Sequence, residues 1–483
     1  MWSVEHYFAV ALSIILLTVT LRIYKYWRIN RKSNGLLLPP GSSGLPLIGE
    51  SLELLIPTYN FDILPFLKKR MLRYGPVFRT NVAGHNLIVS TDADFNHFLF
   101  QQEGKLVVRC YMDLFDKVFE QSKFEEVSIH KFTRNVTLSQ FGVDSIKQNL
   151  LSDFEEFGRK TLHFWSLQDS VEVKPALAEM FGEFGAKQLF SNDMENSREL
   201  SHRFFNFAKA SMAFPLNIPG TLYHKCLKEK KEALNMIRQV VKGRLANSPQ
   251  NIKDDDLLSK IIKDLDKLNF RSEEFITQMV FGSSFTAFET VPTILEFALK
   301  FISENPAVQH KLIAEHEGIL KKRQKSDSLV TWEEYKSMTF TLQVVNETLR
   351  LANTTPGFLR KAVKDIQVNG YTIPAGWRIM ICQSSTHLDP TIYKDPLTFN
   401  PWRWEDVNSE FISKNLRPFG GGIKQCAGAD YSRASMSIFL HLLVTKYRWN
   451  TVKGGDIIQN PILHFQNGLH ISLHPKAEIK TPY

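Results

Sequence analysis

Cysteine is scarce in this chain: Cys110, Cys226, Cys382 and Cys426 are the four among 483 residues. None stands in a CxxC pair and no dense framework is present, which argues against a disulfide scaffold and a structural zinc site. Reduced thiols in a cytosol-facing domain fit better. Internal repeats of the roughly 20–50 residue kind are absent, which removes solenoids and propellers. The net charge is +9, yet zinc-finger spacing, a basic zipper and RNA-binding signatures are all missing, so no nucleic-acid partner is expected. Hydrophobic residues make up 43% and charged residues 23%, a balance unlike that of a disordered chain. What is plentiful is phenylalanine, 36 residues, which suits an aromatic interior or a large apolar cavity.

The N-terminus carries an uncharged apolar run, Tyr7 to Leu21, extended by Ile23 and Tyr24 past Arg22. A bilayer core takes roughly 20 mostly apolar residues, with a lower limit of about 17. The run qualifies if Arg22 snorkels, with Trp2, Tyr24, Tyr26 and Trp27 as interfacial aromatics. A cleaved signal peptide would carry its basic residues first. Here Arg22, Lys25, Arg28, Arg31 and Lys32 follow the run. Residues 3–26 therefore read as a membrane anchor, with the remainder in the cytosol by the positive-inside rule. The sequons at Asn135, Asn346 and Asn353 should then be unmodified. Residues 27–49 form a basic and Pro/Gly-rich hinge: Pro39-Pro40 favours stiff extended chain, and Gly41 and Gly44 allow turns. An ordinary linker would have the same composition. Residues 50–483 read as the one domain that follows the hinge.

Val77–Val82 and Asn86–Ser90 predict a hairpin turning at Ala83-Gly84-His85. A second strand region spans Phe358 to Ile381, with dense turn signals from Val368 to Gly376. Most of the stretch between has helical periodicity. Thr331-Trp-Glu-Glu334 reads as a capping box. The charged stretch from Lys253 to Asp266 reads as a solvated helix face or loop. The fold class is mainly α with a smaller β region, a single body preceded by one transmembrane helix.

The segment Pro418-Phe-Gly-Gly-Gly-Ile-Lys-Gln-Cys426-Ala-Gly428 carries the chemistry. Three adjacent glycines let the backbone turn tightly and approach a flat ligand. The thiol stands before a helix that begins near Gly428, where the helix dipole lowers a thiol pKa. The bland reading is a glycine-rich turn with a buried cysteine.

This segment resembles the cytochrome P450 signature Phe-x-x-Gly-x-Arg-x-Cys-x-Gly. Phe419, Gly422, Cys426 and Gly428 match, and Lys424 stands where arginine is usual. Lysine keeps the charge but loses the bidentate fork. The resemblance implies a haem b cofactor with Cys426 as its axial thiolate, which in this class favours O–O cleavage. Two further motifs stand in the family's order. Glu347-Thr-Leu-Arg350 resembles the Glu-x-x-Arg helix, and Arg403 of Phe399-Asn-Pro-Trp-Arg-Trp404 would complete a structural triad. Thr286-Ala-Phe-Glu289-Thr290 resembles the oxygen-binding groove of the long central helix, departing from the usual pattern at Thr286 and Ala287. Thr290 would bend the helix by bonding a backbone carbonyl, and Glu289 would feed protons. Pro292 adds a break. His130, Arg134 and Arg360 occupy positions similar to those of the family's propionate ligands.

The resemblance covers the chain beyond the anchor and is closest to a plant clan that oxidises brassinosteroids, gibberellin precursors and triterpenoids. Gly44–Glu50, Thr331–Leu342, Phe399–Trp404 and Phe439–Trp449 carry that likeness. It implies a monooxygenase in the endoplasmic reticulum membrane. The expected partners are the bilayer, an NADPH-dependent reductase on the basic proximal face and a large apolar substrate, triterpenoid or sterol, with the enzyme a monomer. Phe281, Phe285, Phe288, Thr355, Phe358 and Leu469, together with the loop from Tyr111 to Phe119, are the expected pocket wall. Two alternatives stand beside it: a haem-thiolate isomerase or dehydratase independent of O₂, and a silent haem-binding membrane protein.

Overall fold

The computed structural model describes residues 13, 16–21, 37–45, 48–59, 61–112, 127–191, 197–210, 217–246, 255–265, 272–325, 328–355 and 357–476. Most of the expected anchor, the first part of the hinge and most of the Tyr111–Phe119 loop lie outside these residues. Among the described residues no helix is long and apolar enough to cross a membrane.

The principal helices are α1 (Pro65–Tyr74), α2 (Ala93–Gln101), α3 (Val127–Phe141), α4 (Leu151–Ser166), α5 (Val173–Phe190), α6 (Ser197–Ala210) and α7 (Leu222–Ala246). They continue with α8 (Leu257–Asp264), α9 (Glu273–Glu304), α10 (Pro306–Lys321), α11 (Trp332–Ser337), α12 (Thr339–Leu351) and α13 (Ala429–Lys446). Strands β1 (Val77–Val82), β2 (His85–Ser90), β3 (Val107–Arg109), β5 (Phe358–Ala362) and β8 (Arg378–Ile381) form one sheet in the order β1-β2-β8-β5-β3. Strands β4 (Val171–Glu172), β12 (Leu469–Pro475) and β9 (Tyr447–Gly454) form a second, and β6 (Ile366–Val368) with β7 (Tyr371–Ile373) and β10 (Ile457–Gln459) with β11 (Leu463–Phe465) are two-stranded. The mainly α class with a smaller β part is thus observed.

Local chemistry explains the element ends. The expected hairpin forms in register Val77↔Ser90 to Val82↔His85, turning through Ala83 and Gly84 at φ 53° and 79°. Thr331 and Glu334 make the reciprocal capping box. Ser272 caps α9 by accepting from Phe275 N–H at 2.9 Å, with Glu273 and Glu274 in the first turn, where the helix dipole favours acids.

Helix α9 runs through the middle of the main core, buried along most of its length against α5, α6, α7 and α12. It continues through Pro292, so the break expected there is not an end. The charged stretch from Lys253 is corrected within its described part. Helix α8 buries Leu257, Leu258, Ile261 and Ile262, and Asp256 pairs with Arg244 at 3.1 Å, both buried. Its apolar residues recur at helical spacing between the charges, and that period outweighs composition.

Candidate functional site

The segment from Phe419 to Gly428 folds as a tight turn ahead of α13. Cys426 N–H donates to the Phe419 carbonyl at 3.0 Å, and Gln425 N–H to Gly422 at 3.1 Å. Gly422 lies at φ +66°, and a Cβ there would meet the Phe100 carbonyl oxygen at 2.1 Å. Only glycine satisfies both demands. The turn is thereby pressed onto the end of α2. Arg433 lies 4.7 Å from the Phe419 ring centroid.

Cys426 is the one exposed thiol of the four; Cys110 is half-buried, and Cys226 and Cys382 are buried. Burial raises Cys226 to about 11 and Cys382 to about 12, so both are inert core thiols. Cys426 has accessible surface, yet surrounding protein also raises its thiol, opposed by the Gly428 N–H, Arg134 and Arg433. The lowering expected from the helix N-terminus is therefore outweighed: desolvation opposes the charged form more strongly than nearby dipoles and cations favour it.

Two predicted basic residues converge on this turn from α3. His130 Nε2–H donates to the Ile423 carbonyl at 3.1 Å, and Arg134 donates to the Gln425 carbonyl. Lys424, Arg109 and Arg134 all act on His130, which burial and these charges lower to about 4. Arg360 is placed differently: it is buried on β5 and ion-paired with Glu103. Opposite it in the ladder stands Arg109, a residue that no sequence motif marks. Its Nε is buried with no hydrogen-bond partner among the described residues. A cluster of cations with a buried, unpartnered Arg109 Nε fits an anionic group such as haem's propionates.

The predicted triad is assembled. Glu347 accepts from Arg350 Nε at 2.9 Å and Nη2 at 2.8 Å. Arg403 Nε, Asn400 N–H and Trp404 Nε1–H reach the same carboxylate at 2.9, 2.9 and 3.0 Å. Arg350 also donates to the carbonyls of His387 and Pro396, each at 2.7 Å. Sequence reading missed His387, which is buried. Its Nε2 accepts from Arg417 N–H at 3.2 Å and its Nδ1 bonds Asn353. The triad is thus tied to the backbone two residues before Phe419. A lone histidine in an irregular stretch carries no spacing signal.

On α9, Thr290 Oγ1 donates to the Thr286 carbonyl at 2.8 Å, as expected. Both threonines are exposed on a helix otherwise largely buried. Glu289 is ion-paired with Lys174 of α5 at 2.6 Å, a partner that sequence reading missed.

The expected pocket wall needs correction. Phe281 and Phe288 are buried, and with half-buried Phe285 they pack on Phe204 of α6 at 4.9 to 6.0 Å between centroids. At about 100° per residue they lie roughly 140° to 180° around the helix from Thr290. Their spacing makes an aromatic core seam, facing away from the threonine strip. Leu469 is also buried, within the main core on β12. Phe358 is better placed, half-buried beside Gly420 and 5.8 Å from the Phe100 ring. Thr355 is half-buried and bonds within its own turn, to Gly357.

A glycine-rich cysteine turn, a buried carboxylate–guanidinium lock and a long core helix with an exposed threonine strip together define a haem-thiolate class of enzyme. The cytochrome P450 family model matches residues 39–478. The chain is 46% identical to the cucurbitadienol 11-hydroxylase of Siraitia grosvenorii, over 95% of this chain and 98% of that one. It is 44% identical to the beta-amyrin 16-alpha-hydroxylase of Maesa lanceolata, over 99% and 100%. Among solved structures, the retinoic acid bound cyanobacterial CYP120A1 superposes with a TM-score of 0.80 at 24% identity, covering 92% of this chain and 100% of that one, and shares the fold. The chain belongs to the cytochrome P450 family. It is a monooxygenase with cysteine-ligated haem as cofactor, and enzymes of this family draw electrons from a redox partner and bind hydrophobic substrates.

Proposed function

We propose that the enzyme hydroxylates a C–H bond of a triterpenoid or sterol, anchored by residues 3–26 in the endoplasmic reticulum membrane with residues 50–483 in the cytosol. Residues 27–49 are the hinge, and a monomer accepts electrons from an NADPH-dependent reductase on its basic proximal face. The observation that carries the substrate class is likeness along nearly the whole chain to hydroxylases of cucurbitadienol and beta-amyrin.

Haem, when bound, supplies O₂ activation and the oxidation of the substrate. Cys426 would hold its iron through the thiolate. Phe419, Gly422 and Gly428 shape the turn that presents the sulfur. His130 and Arg134 hold the turn by its carbonyls, and Arg134 with Lys424 and Arg109 supplies positive charge for the propionates, while Arg360 is paired with Glu103. Glu347, Arg350 and Arg403 keep the proximal side rigid. Thr290 ties up the Thr286 carbonyl, and Glu289 is the acid that delivers protons. Phe358, Thr355, Thr286 and Thr290 border the substrate space.

Titration of the haem-loaded enzyme with cucurbitadienol, beta-amyrin and cholesterol tests the substrate class. A ferric Soret shift with at least one is expected, and silence toward all three would sink it. Glu289-Thr290 and an uninterrupted cysteine turn favour a monooxygenase over an isomerase or dehydratase. Turnover that persists without O₂ and reductase would reverse that choice. For the ligand assignment, Cys426→Ala must lose the thiolate-type Soret band of the reduced carbon-monoxide complex.

A further inference from the structure

Arg360 is one of three residues matched by position to propionate ligands, yet its guanidinium is occupied elsewhere. Its Nε faces Glu103 Oε2 at 2.5 Å, an ion pair that is close but not aligned as a hydrogen bond. Its Nη1 donates to the Leu359 carbonyl at 2.9 Å. Its charge lies over the Phe100 ring, 5.5 Å from the centroid. Both members of the pair are buried. Phe100 is also the residue whose carbonyl leaves no room for a side chain on Gly422. The pair therefore lies against the same residue as the cysteine turn.

The same carboxylate also fixes the backbone of Arg109. Glu103 Oε1 accepts the Arg109 N–H at 2.8 Å. Local chain geometry makes this possible. Gly104, at φ 81°, turns the chain after α2, and its N–H donates to the Val107 carbonyl at 2.7 Å. That bond brings β3 back alongside Glu103. Strand β3 then pairs with β5 in the register Arg109↔Arg360. The two arginines are directly opposite across the ladder, where like charges repel. Glu103 neutralises one of them, Arg360, and holds the other by its backbone alone. Arg109 thus keeps its charge. Its guanidinium lies 5.4 Å from the Tyr111 ring centroid, and its Nε is buried with no hydrogen-bond partner among the described residues. With Lys424 and Arg134 it acts on His130, which bonds the cysteine turn.

We propose that Glu103 is a positioning residue that withdraws Arg360 from the haem propionates and leaves Arg109 in its place. This rests on the reading of the cations around the cysteine turn as the propionate site. It has two consequences. The first is for retention: Arg109, Arg134 and Lys424 carry the propionates, and Arg360 adds nothing while Glu103 holds it. The second is for redox balance: a carboxylate close to the haem edge opposes an incoming electron and so favours the ferric state.

Haem-loaded protein tests this without any substrate. Glu103→Gln keeps an acceptor for the Arg109 N–H but frees the Arg360 charge for the propionates. Haem transfer to apomyoglobin should slow roughly tenfold, the gain from one charge-assisted contact. The ferric–ferrous equilibrium should move about tenfold toward ferrous, roughly 59 mV for one electron. Protein reloaded with protohaem dimethyl ester, whose propionates carry no charge, should lose the difference in transfer rate. Wild-type transfer and potential in Glu103→Gln, or an equal slowing with the ester, overturns the proposal. If this variant yields no haem-loaded protein, Glu103→Gln combined with Arg360→Met removes the pair together, a replacement that buried ion pairs often tolerate. Transfer within about twofold of wild type supports the proposal there. Transfer roughly tenfold faster would put Arg360 on the propionates and sink it. Arg109→Met should release haem about tenfold faster, and a wild-type rate in that variant counts equally against the proposal. The reduced carbon-monoxide spectrum separates the two readings. A wild type without the thiolate-type band loses the haem site itself, whereas that band with null results in the variants removes only the role of Glu103.

Discussion

Arg403 Nε donates to Glu347 Oε1 at 2.9 Å across 56 residues of chain. The contact locks α12 to the segment that leads toward the cysteine turn. Glu347 is fully buried and accepts from five donors, two of them on Arg350. Removing it strands two guanidinium groups in the protein. Glu347→Ala should therefore cost on the order of 3–5 kcal/mol. Arg350→Lys should also fail, because an ammonium cannot span Glu347 and two carbonyls as a planar fork does. The yield of protein with a thiolate-type carbon-monoxide spectrum measures both, and wild-type yield in either would refute the lock.

Gly422 carries a second constraint. An alanine there meets the Phe100 carbonyl at 2.1 Å in a left-handed backbone conformation. Strain alone is worth about 1–3 kcal/mol, and relieving the clash moves the turn off the end of α2. Gly422→Ala should lower haem occupancy and melting temperature together. Lys424→Arg, two residues away, should leave stability within about 0.5 kcal/mol. Equal melting temperatures for Gly422→Ala and wild type would refute the constraint.

Much of this was legible in the chain. The hairpin, the capping box and the threonine back-bond follow from short-range rules that tertiary packing does not override, and the family resemblance supplied the Glu347–Arg403 pairing across 56 residues. Partners at long range were not legible. Nothing in the sequence marks Lys174 for Glu289 or His387 for Arg417, because each pair depends on how separate elements dock. The aromatic expectation on α9 fails for a different reason. Phe281, Phe285 and Phe288 are expected as pocket wall, whereas their helical period sets them opposite Thr290. Arg360 was matched by position alone, and its buried neighbour Glu103 redirects it.

Acid should loosen the proximal side. His387 is lowered to about 3 by burial first and by Arg350 second. His130 is lowered to about 4. Both are neutral when folded and take up protons more readily when unfolded. Their contribution to stability is complete above the ordinary histidine value of 6.5 and is lost as pH falls toward 4 and then 3. The loss should reach a few kcal/mol, at about 1.4 kcal/mol per pH unit for each group. Melting temperature should fall through that window, and less steeply in His387→Gln. An equal slope in the variant would remove His387 as a source.

The last prediction separates core from pocket on α9. Phe288 is buried against Phe204 at 4.9 Å, and Gly185 of α5 is so close that a Cβ there would meet its ring at 3.0 Å. Phe288→Ala should cost about 3–5 kcal/mol of stability through the cavity it leaves. It should leave the ranking of ligands in spectral titrations unchanged. Thr286 is exposed on the opposite strip, so Thr286→Leu should do the reverse. Added apolar volume there shortens the list of sterols and triterpenes that shift the Soret band, while the melting temperature stays near wild type. The strip's neighbour Thr290 keeps an intact carbonyl partner in that variant, because its bond is to the Thr286 backbone. A changed ranking in Phe288→Ala, or an unchanged one in Thr286→Leu, would return the aromatic face to the substrate side.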